Sequence, residues 1–250
     1  MKHRLSNTFG KSKVSIEERE RLVRSVFDRV ATRYDVMNDL MSMGMHRLWK
    51  WYFCRQVKKV QGDVYVDLAA GTGDIAEALI GHYRNVVLVD PSEKMLEVAE
   101  QRLGKSCRYI IAAGENLPLN DNSVDVLTIS FGIRNATDIK KCLQEITRVL
   151  KPGGSLFCLE FSTPYPWLAP FYNAWSRLVI PRLGAAVAGH PDAYQYLIES
   201  IREFPAQEEM SEILRASGLD NVFYSNLTFG IACIHRGVKR RVIVSEIQFD

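Results

Sequence analysis

The segment from Asp67 to Gly73 and a later aspartate, Asp90, carry the residue types of a site that holds a nucleoside. Asp67 is followed by Leu-Ala-Ala-Gly71-Thr72-Gly73, and Asp90 stands 17 residues after Gly73. Glycines let the backbone approach a ligand closely, and a helix that begins there offers unpaired N–H groups. A carboxylate at the end of the following strand can accept hydrogen bonds from both hydroxyls of a ribose. The spacing therefore predicts a cofactor that contains a nucleoside.

The glycine spacing alone leaves two cofactor classes open. Gly71-x-Gly73-x-x-Ala76 also fits the dinucleotide fingerprint, so a nicotinamide-dependent oxidoreductase is one interpretation. Two features favour S-adenosylmethionine. Asp67 lies on the strand before the loop, where its carboxylate could receive the cationic amino group of a methionine moiety. This cofactor also has no phosphate, so the loop need not cradle one.

The elements that must position these residues alternate regularly along the chain. Short apolar runs typical of strands are separated by stretches with helical periodicity, and the runs lie at 64–68, 86–89, 108–112, 124–130, 155–161, 222–226 and 230–235. Such alternation predicts βαβ units, and thus an α/β protein whose mostly parallel, seven-stranded sheet is covered by helices on both faces. Ligands of these sheets bind beyond the carboxyl ends of the strands, where Asp90 and the glycine loop lie.

Three segments lie outside this alternation. Residues 1–60 carry helical patterns and are predicted to form an N-terminal cap. Residues 162–202 contain five prolines and many apolar side chains. We expect them to form a helical lid inserted into the sheet domain, which spans residues 61–239. The tail at 240–250 has no functional interpretation.

Composition and charge restrict the function classes. The 250 residues carry a formal net charge of +3 and are 47% hydrophobic, which is typical of a folded globular protein and excludes disorder. No run reaches the ~18–20 apolar residues of a membrane span, and no signal peptide is expected. Five scattered cysteines without a C-x-x-C pair predict reduced thiols and a cytoplasmic location. Residues 1–60 hold 14 Lys/Arg and 6 Asp/Glu, which indicates an anionic partner or a solvated helix face.

The segment after the third strand resembles the acidic loop of class I methyltransferases. It reads Gly114-Glu-Asn-Leu-Pro-Leu, with Asp125 downstream. The resemblance implies a Rossmann-like fold, with Ala113 and Gly114 beside the adenine and Ser130, at the end of the fourth strand, facing the cofactor. Ala69 stands where the usual methyltransferase pattern has its first glycine, a departure with little steric effect.

Longer segments resemble one family within that class. Residues 34–49 are similar to the first signature of the ubiquinone/menaquinone biosynthesis C-methyltransferase family, and residues 148–162 to its second. Residues 130–135 and 226–239 also resemble family sequence, so the resemblance covers about residues 20–239. It implies S-adenosylmethionine-dependent methylation of a ring carbon on a polyprenylated benzoquinol or naphthoquinol. The implied cofactor contacts are Thr72, Asp90, Ala113, Gly114 and Ser130.

The implied reaction requires help that Arg134 is placed to give. A quinol ring carbon attacks a methyl group only after the neighbouring hydroxyl loses its proton, and a phenol-type pKa of about 10 leaves little phenolate at neutral pH. We expect Arg134 to hold the developing oxyanion or a water that relays the proton, and Asn135 to orient the substrate or that water. An ion pair between Arg134 and a carboxylate is the alternative. Tyr34 and His46 are expected in a lid over the ring, where His46 acts as the base or is a hydrogen-bonded core residue.

The implied substrate predicts a membrane partner. Each CH₂ group buried in lipid contributes about 0.8 kcal/mol, so a polyprenyl tail stays in the bilayer and a cytoplasmic enzyme must bind the membrane surface. The basic first segment and the 164–190 stretch, which includes Trp167, Phe171 and Trp175, are the expected docking face. A homodimer or an assembly of quinone-synthesis enzymes is compatible with the sequence.

Other partners and activities are weighed against this interpretation. No nucleic acid partner is expected because the chain lacks an interleaved stacking platform, and no metal site is legible in the sequence. Another class I methyltransferase acting on a lipid or small molecule remains an alternative, as does an inactive partner protein.

Overall fold

The computed structural model of the protein describes residues 8–9, 12–30, 39, 42–178 and 191–241. Its helices are α1 (Ile16–Val30), α2 (Met45–Val57), α3 (Asp74–Leu79), α4 (Glu93–Leu103), α5 (Ile139–Val149), α6 (Ala169–Leu178), α7 (Pro191–Glu203) and α8 (Gln207–Ala216). Its strands are β1 (Thr8–Phe9), β2 (Ser12–Lys13), β3 (Val64–Leu68), β4 (Asn85–Asp90), β5 (Arg108–Ile111), β6 (Val124–Ser130), β7 (Leu150–Phe161), β8 (Leu219–Leu227) and β9 (Ala232–Lys239). Short 3₁₀ turns lie at Gly104–Ser106, Ile133–Asn135 and Thr228–Gly230.

The main sheet has seven strands in the order β5-β4-β3-β6-β7-β9-β8. Strands β5, β4, β3, β6 and β7 are parallel to one another, whereas β9 is antiparallel to both of its neighbours, β7 and β8. The α/β prediction is therefore confirmed. The strand order reverses between β3 and β6: the strands that follow β3 are added toward one edge of the sheet, and β6 and β7 are added toward the other. A ligand is expected in the crevice beyond the carboxyl ends of β3 and β6.

Both faces of the sheet are buried, as strands of a parallel sheet require. Successive side chains of a strand point to opposite faces, so Leu127 and Ile129 of β6 pack with α5 and α8, while Val126 packs on the other side with α2, α3 and α4. Helix α5 likewise buries one apolar face against the sheet. The sequence predicts an apolar helix face formed by Ile139, Cys142, Leu143, Ile146, Val149 and Leu150. The first five are buried on α5, and Leu150 is buried at the start of β7.

Strand β7 and the cap of α5 differ from what the sequence predicts, since Lys151-Pro-Gly-Gly154 is typical of a helix stop and Thr137 is a candidate for the N-cap residue. The Lys-Pro-Gly-Gly segment after α5 is already part of β7, which begins at Leu150. Asp138, and not Thr137, caps α5 by accepting a hydrogen bond from the Lys141 N–H at 3.1 Å. The N–H groups of Thr137 and Asp138 both donate to the Glu115 carboxylate, at 2.6 and 3.1 Å, and this distant side chain fixes the backbone just before the helix.

The N-terminal helix α1 lies against the sheet domain. Ser15 precedes it and accepts a hydrogen bond from the Glu18 N–H at 3.1 Å, as the capping-box spacing predicts. The Ser92 hydroxyl at the start of α4 donates to the carboxylate of Asp28 on α1. Arg19 of α1 is fully buried. The helix therefore packs beside the carboxyl ends of the strands.

The segment predicted as a lid contains α6 and nearly all of α7. The part between them, residues 179–190, lies outside the described residues, as do 31–38 and 242–250. Tyr34 and most of the C-terminal tail therefore fall outside the described part of the chain. Among the described helices, none combines the length and the apolar composition needed to cross a membrane.

Candidate active site

A cavity lies at the carboxyl ends of β3, β4 and β6 and is open to solvent. Its volume is about 950 Å³ when the solvent at its open mouth is included, and Val23 and Arg24 of α1 line one side of it. Of the residues proposed from the sequence, it is lined by Gly71, Asp90, Ala113, Gly114, Ser130 and Asn135. The loops that follow β3, β4, β5 and β6 thus each contribute residues to one cavity.

Asp90 ties two of these loops together. One oxygen of its carboxylate accepts the Gly71 N–H at 2.9 Å, and the other accepts the Ser92 N–H at 2.8 Å. Burial raises the pKa of this carboxyl group to about 6. Each carboxylate oxygen can accept a second hydrogen bond, so Asp90 can receive two hydroxyl donors from the cavity.

Only part of the glycine loop lines the cavity. Gly71 has φ of +56°, and no described atom lies within 4 Å of where its Cβ would be. Gly73 has φ of +80°, and its Cβ would meet the Leu103 side chain at 2.9 Å. Thr72 is buried. Gly71 therefore faces the cavity, whereas Thr72 and Gly73 lie outside its lining and shape the turn into α3.

Ala69 and Gly132 form a contact that stability measurements can test. Ala69 has φ of +53°, which is disfavoured for any residue with a Cβ by about 1–2 kcal/mol. A Cβ built on Gly132 would lie 2.4 Å from the Ala69 Cβ. We expect Ala69→Gly to stabilise the protein by about 1 kcal/mol, and Gly132→Ala to destabilise it less in that background than in the native chain. Denaturant unfolding of the double-mutant cycle measures this coupling, and strictly additive free energies would contradict it.

Asp67 is turned away from the cavity lining. The residue is 1% exposed, and one carboxylate oxygen accepts a hydrogen bond from the Thr128 hydroxyl at 2.7 Å. The Thr128 hydroxyl is also 2.6 Å from the Tyr65 hydroxyl. The second Asp67 oxygen has no hydrogen-bond partner within the described part of the chain. Burial raises the pKa of Asp67 to about 7.

Arg134 lies in an ion pair, as one of its two interpretations predicted. Its guanidinium Nη1 donates to the Glu160 carboxylate and to the Phe131 carbonyl, both at 2.6 Å. The guanidinium lies 5.5 Å from the centre of the Phe161 ring. Glu160 is the partner that sequence reasoning left without a role. It is the next-to-last residue of β7, which lies beside β6, so both strands end close to Arg134.

Two further residues hold the turn that carries Arg134 and Asn135. The Tyr196 hydroxyl of α7 donates to the Asn135 side-chain oxygen at 3.0 Å. Arg19 of α1 donates to the carbonyls of Asn135 and Ala136, each at 3.3 Å. Sequence reasoning missed Arg19 and Tyr196, since both come from elements distant along the chain.

His46 lies outside the cavity lining. It is 5% exposed, and its Nδ1 is 2.9 Å from the Ser42 hydroxyl. Burial lowers the pKa of His46. This environment fits a hydrogen-bonded core residue better than a general base. The described residues contain no cluster of three or more His, Cys, Asp or Glu side chains that could hold a metal ion.

Comparisons with known proteins agree with this geometry. Residues 13–239 match the model of the ubiE/COQ5 methyltransferase family. The chain is 53% identical over 235 residues to a ubiquinone/menaquinone biosynthesis C-methyltransferase of Rubrivivax gelatinosus, covering 94% of each chain. It is 44% identical to a mitochondrial 2-methoxy-6-polyprenyl-1,4-benzoquinol methylase of Caenorhabditis elegans, covering 93% of this chain and 85% of that one.

Solved structures show the same fold. A SAM-dependent methyltransferase of Thermotoga maritima superposes with a TM-score of 0.62 at 22% identity, covering 87% of this chain and 100% of that one. At this identity the similarity supports a shared fold and nothing more specific.

Proposed function

The chain belongs to the ubiE/COQ5 methyltransferase family and is therefore a methyltransferase, and we propose that it methylates a ring carbon of a polyprenylated quinol with S-adenosylmethionine as the methyl donor. The observation that carries this proposal is the 53% identity across 94% of both chains to a relative named for ubiquinone and menaquinone biosynthesis. The relative named as a benzoquinol methylase supports the same ring chemistry. The family assignment also disfavours the nicotinamide-dependent alternative.

The residues present fit this methyl donor. The sulfonium of S-adenosylmethionine supplies an electrophilic methyl group. Asp90 offers acceptors for two ribose hydroxyls, and Gly71 leaves open space beside it. The unpartnered hydroxyl of Ser130 is a buried polar atom at the end of β6, in the lining of the cavity. Buried polar atoms without partners are unfavourable, so a ligand with donors in this crevice would satisfy them.

Arg134 is the proposed holder of the quinol oxygen. A phenolate that forms in a buried site needs a fixed positive charge, because reorienting solvent is absent there. The guanidinium is fixed by the Phe131 carbonyl and by Glu160, and its Nε has no partner among the described residues. Asn135 lines the cavity next to it, oriented by Tyr196. These contacts favour a role in which Asn135 orients the ring and Arg134 binds its oxygen.

An exposed aromatic patch is the proposed membrane contact. It consists of Trp167, Phe171 and Phe229, which are 58%, 72% and 56% exposed. The rings of Trp167 and Phe229 touch edge to face with centroids 5.1 Å apart. Trp175, in contrast, is half-buried. The patch therefore overlaps the docking face expected from the sequence but replaces one of its aromatic residues by Phe229.

Helix α2 adds an apolar stripe beside this patch. Leu48 and Trp51 are more than half exposed, and the Arg55 guanidinium lies 4.8 Å from the Trp51 ring. The Trp49 indole N–H donates to the Thr228 hydroxyl at 2.8 Å, which joins α2 to the turn that carries Phe229. Aromatic rings beside cationic side chains suit the headgroup region of an anionic bilayer at the cytoplasmic face.

Removing the aromatic patch is expected to weaken membrane binding. The triple variant Trp167→Ala, Phe171→Ala, Phe229→Ala should bind anionic liposomes at least tenfold more weakly, because each ring that enters lipid contributes about 1.5–3 kcal/mol when fully buried. Co-sedimentation with vesicles of one part anionic to three parts zwitterionic lipid measures the loss. Phe223→Ala with Tyr224→Ala, which removes exposed rings from β8, is the matched control. Equal losses in both variants would contradict a docking role.

Label transfer tests the proposed reaction. The purified protein is incubated with methyl-deuterated S-adenosylmethionine and two reduced, detergent-solubilised acceptors, a demethylated menaquinol and a demethylated ubiquinol precursor. Mass spectrometry then locates the label, and we expect it on a ring carbon. The ratio of the two products identifies the preferred acceptor. Binding of S-adenosylhomocysteine without transfer to either quinol would overturn the proposal in favour of another acceptor or an inactive protein.

A further inference from the structure

Helix α1 lies along one side of the cavity and is held in two places. Toward its start, the buried Arg19 donates to two carbonyls of the turn after β6. Toward its end, Asp28 accepts a hydrogen bond from the hydroxyl of Ser92, just after β4. Strand β3 lies between β4 and β6, so α1 bridges the loops on both sides of it. Val23 and Arg24 lie between the two attachments, and both line the cavity.

Arg24 is the one cationic side chain among the described residues that line the cavity, whereas Asp90 and Glu115 are anionic. The Arg24 side chain is exposed, and no hydrogen bond or ion pair with the described residues holds its guanidinium. A guanidinium presents several N–H donors in a planar fork that fits the two oxygens of a carboxylate. The cavity therefore offers a free cation to an anionic group of its ligand.

The methionine end of S-adenosylmethionine carries a carboxylate, which needs such a partner. The acidic side chains of the lining would repel it. The glycine loop has few donors to spare, because the N–H groups of Ala70, Gly71 and Gly73 already donate to other groups of the chain at 2.9 to 3.2 Å. A carboxylate placed in the cavity without a charged donor would lose its hydration without compensation, which is unfavourable.

We propose that Arg24 binds the carboxylate of the methyl donor, so that α1 completes the cofactor site from outside the sheet domain. This inference rests on the part of the proposed function that names S-adenosylmethionine. It gives α1 a role in selecting the ligand, because a nucleoside without the amino-acid carboxylate gains nothing from Arg24. The ion pair forms inside a cavity and not on an open surface, and it is therefore less weakened by water and salt.

Lys50 of α2 is the rival cation near the glycine loop. Its Nζ lies 2.5 Å from the carboxylate of Asp74, at the start of α3. Asp74 therefore already balances its charge, and Lys50 is not among the residues that line the cavity. These two differences favour Arg24 as the partner of the ligand carboxylate and make Lys50 a useful comparison.

Calorimetric binding of two ligands to the full chain tests the proposal. The first is S-adenosylhomocysteine, and the second is its decarboxylated analogue, which keeps the adenosine, the thioether and the amine. The native protein should prefer S-adenosylhomocysteine. Arg24→Gln should weaken binding of S-adenosylhomocysteine about tenfold, as expected for the loss of a charged hydrogen-bonded contact. It should leave the affinity for the analogue within about twofold, which also shows that the cavity is intact. Arg24→Lys should keep part of the preference.

Two control variants remove a positive charge elsewhere. Arg21→Gln changes an exposed arginine of the same helix that is not part of the cavity lining, and Lys50→Gln removes the rival cation. Both should keep the native preference. The proposal is overturned if Arg24→Gln keeps that preference, if it weakens both ligands equally, or if the preference disappears in Lys50→Gln instead.

The same measurement separates this proposal from the proposed function. If the native protein binds neither ligand, the assignment of the methyl donor fails, and the role of Arg24 fails with it. If the native protein prefers S-adenosylhomocysteine through Arg24 but transfers no label to a quinol, the role of Arg24 is supported and only the methyl acceptor is wrong.

Discussion

Arg134→Gln is expected to lower kcat for quinol methylation about 100- to 1,000-fold, the range seen when one donor that stabilises an oxyanion is removed. The affinity for S-adenosylhomocysteine should stay within about threefold of the native value, because Arg134 lies outside the lining of the cofactor cavity. Arg134→Lys should lose less, since an ammonium keeps the charge, although it lacks the rigid guanidinium whose Nη1 donates to both the Phe131 carbonyl and Glu160. Single-turnover rates and calorimetric binding measure the two quantities separately.

A double variant separates the catalytic effect from the structural one. Arg134→Gln leaves Glu160 as a buried unpaired carboxylate, and breaking a buried ion pair destabilises proteins by about 3–5 kcal/mol. Arg134→Gln combined with Glu160→Gln removes both charges and should restore most of the stability. Its kcat should remain as low as that of the single variant. Recovery of kcat together with stability would show that Arg134 only supports the fold.

The parts of the fold that follow from local pattern were predictable. The glycine loop before Gly73, the strand that ends at Asp90 and the apolar stripe of α5 are each encoded within about a dozen residues, and the structure places all three as expected. The start of β7 was not, because Lys-Pro-Gly-Gly is typical of a helix stop and a turn. Pairing with β6 overrides that local preference, with Val124 opposite Leu150.

The site was predictable only in its local parts. Asp90 and Ser130 lie at strand ends, so the topology alone brings them to the cavity. Asp67 also lies near a strand end, but the alternation of side chains along β3 turns its carboxylate toward Thr128 instead. Contacts made by α1 depend on how a distant helix docks, and no periodicity within the chain reports that. This is why Arg24 was missed at the cavity.

The second large effect concerns Asp90. Asp90→Asn is expected to weaken binding of S-adenosylhomocysteine about 100-fold, since hydrogen bonds to a charged acceptor contribute about 1.5–3 kcal/mol each and the amide offers one acceptor in place of two. The pH dependence should also disappear. In the free native protein burial raises the pKa of Asp90 to about 6, and hydroxyl donors from a ligand favour the ionised form. Affinity should therefore be level above about pH 7 and fall as the pH drops through 6, whereas the amide variant cannot titrate.

Asp125→Asn is the matched control for this effect, because the Asp125 carboxylate performs the same structural task at the amino ends of the strands, opposite the cavity. Its carboxylate accepts the N–H groups of Asp63 and Val64 at 3.1 and 2.9 Å and pairs with Lys151. Its loss should lower the melting temperature by an amount similar to that of Asp90→Asn, while leaving the affinity for S-adenosylhomocysteine and its pH profile unchanged. If both variants lost affinity equally, Asp90 would act only by fixing the loop, and the ligand hydroxyls would have to be held elsewhere. If only Asp90→Asn loses affinity, the carboxylate that ties Gly71 to Ser92 also binds the ligand.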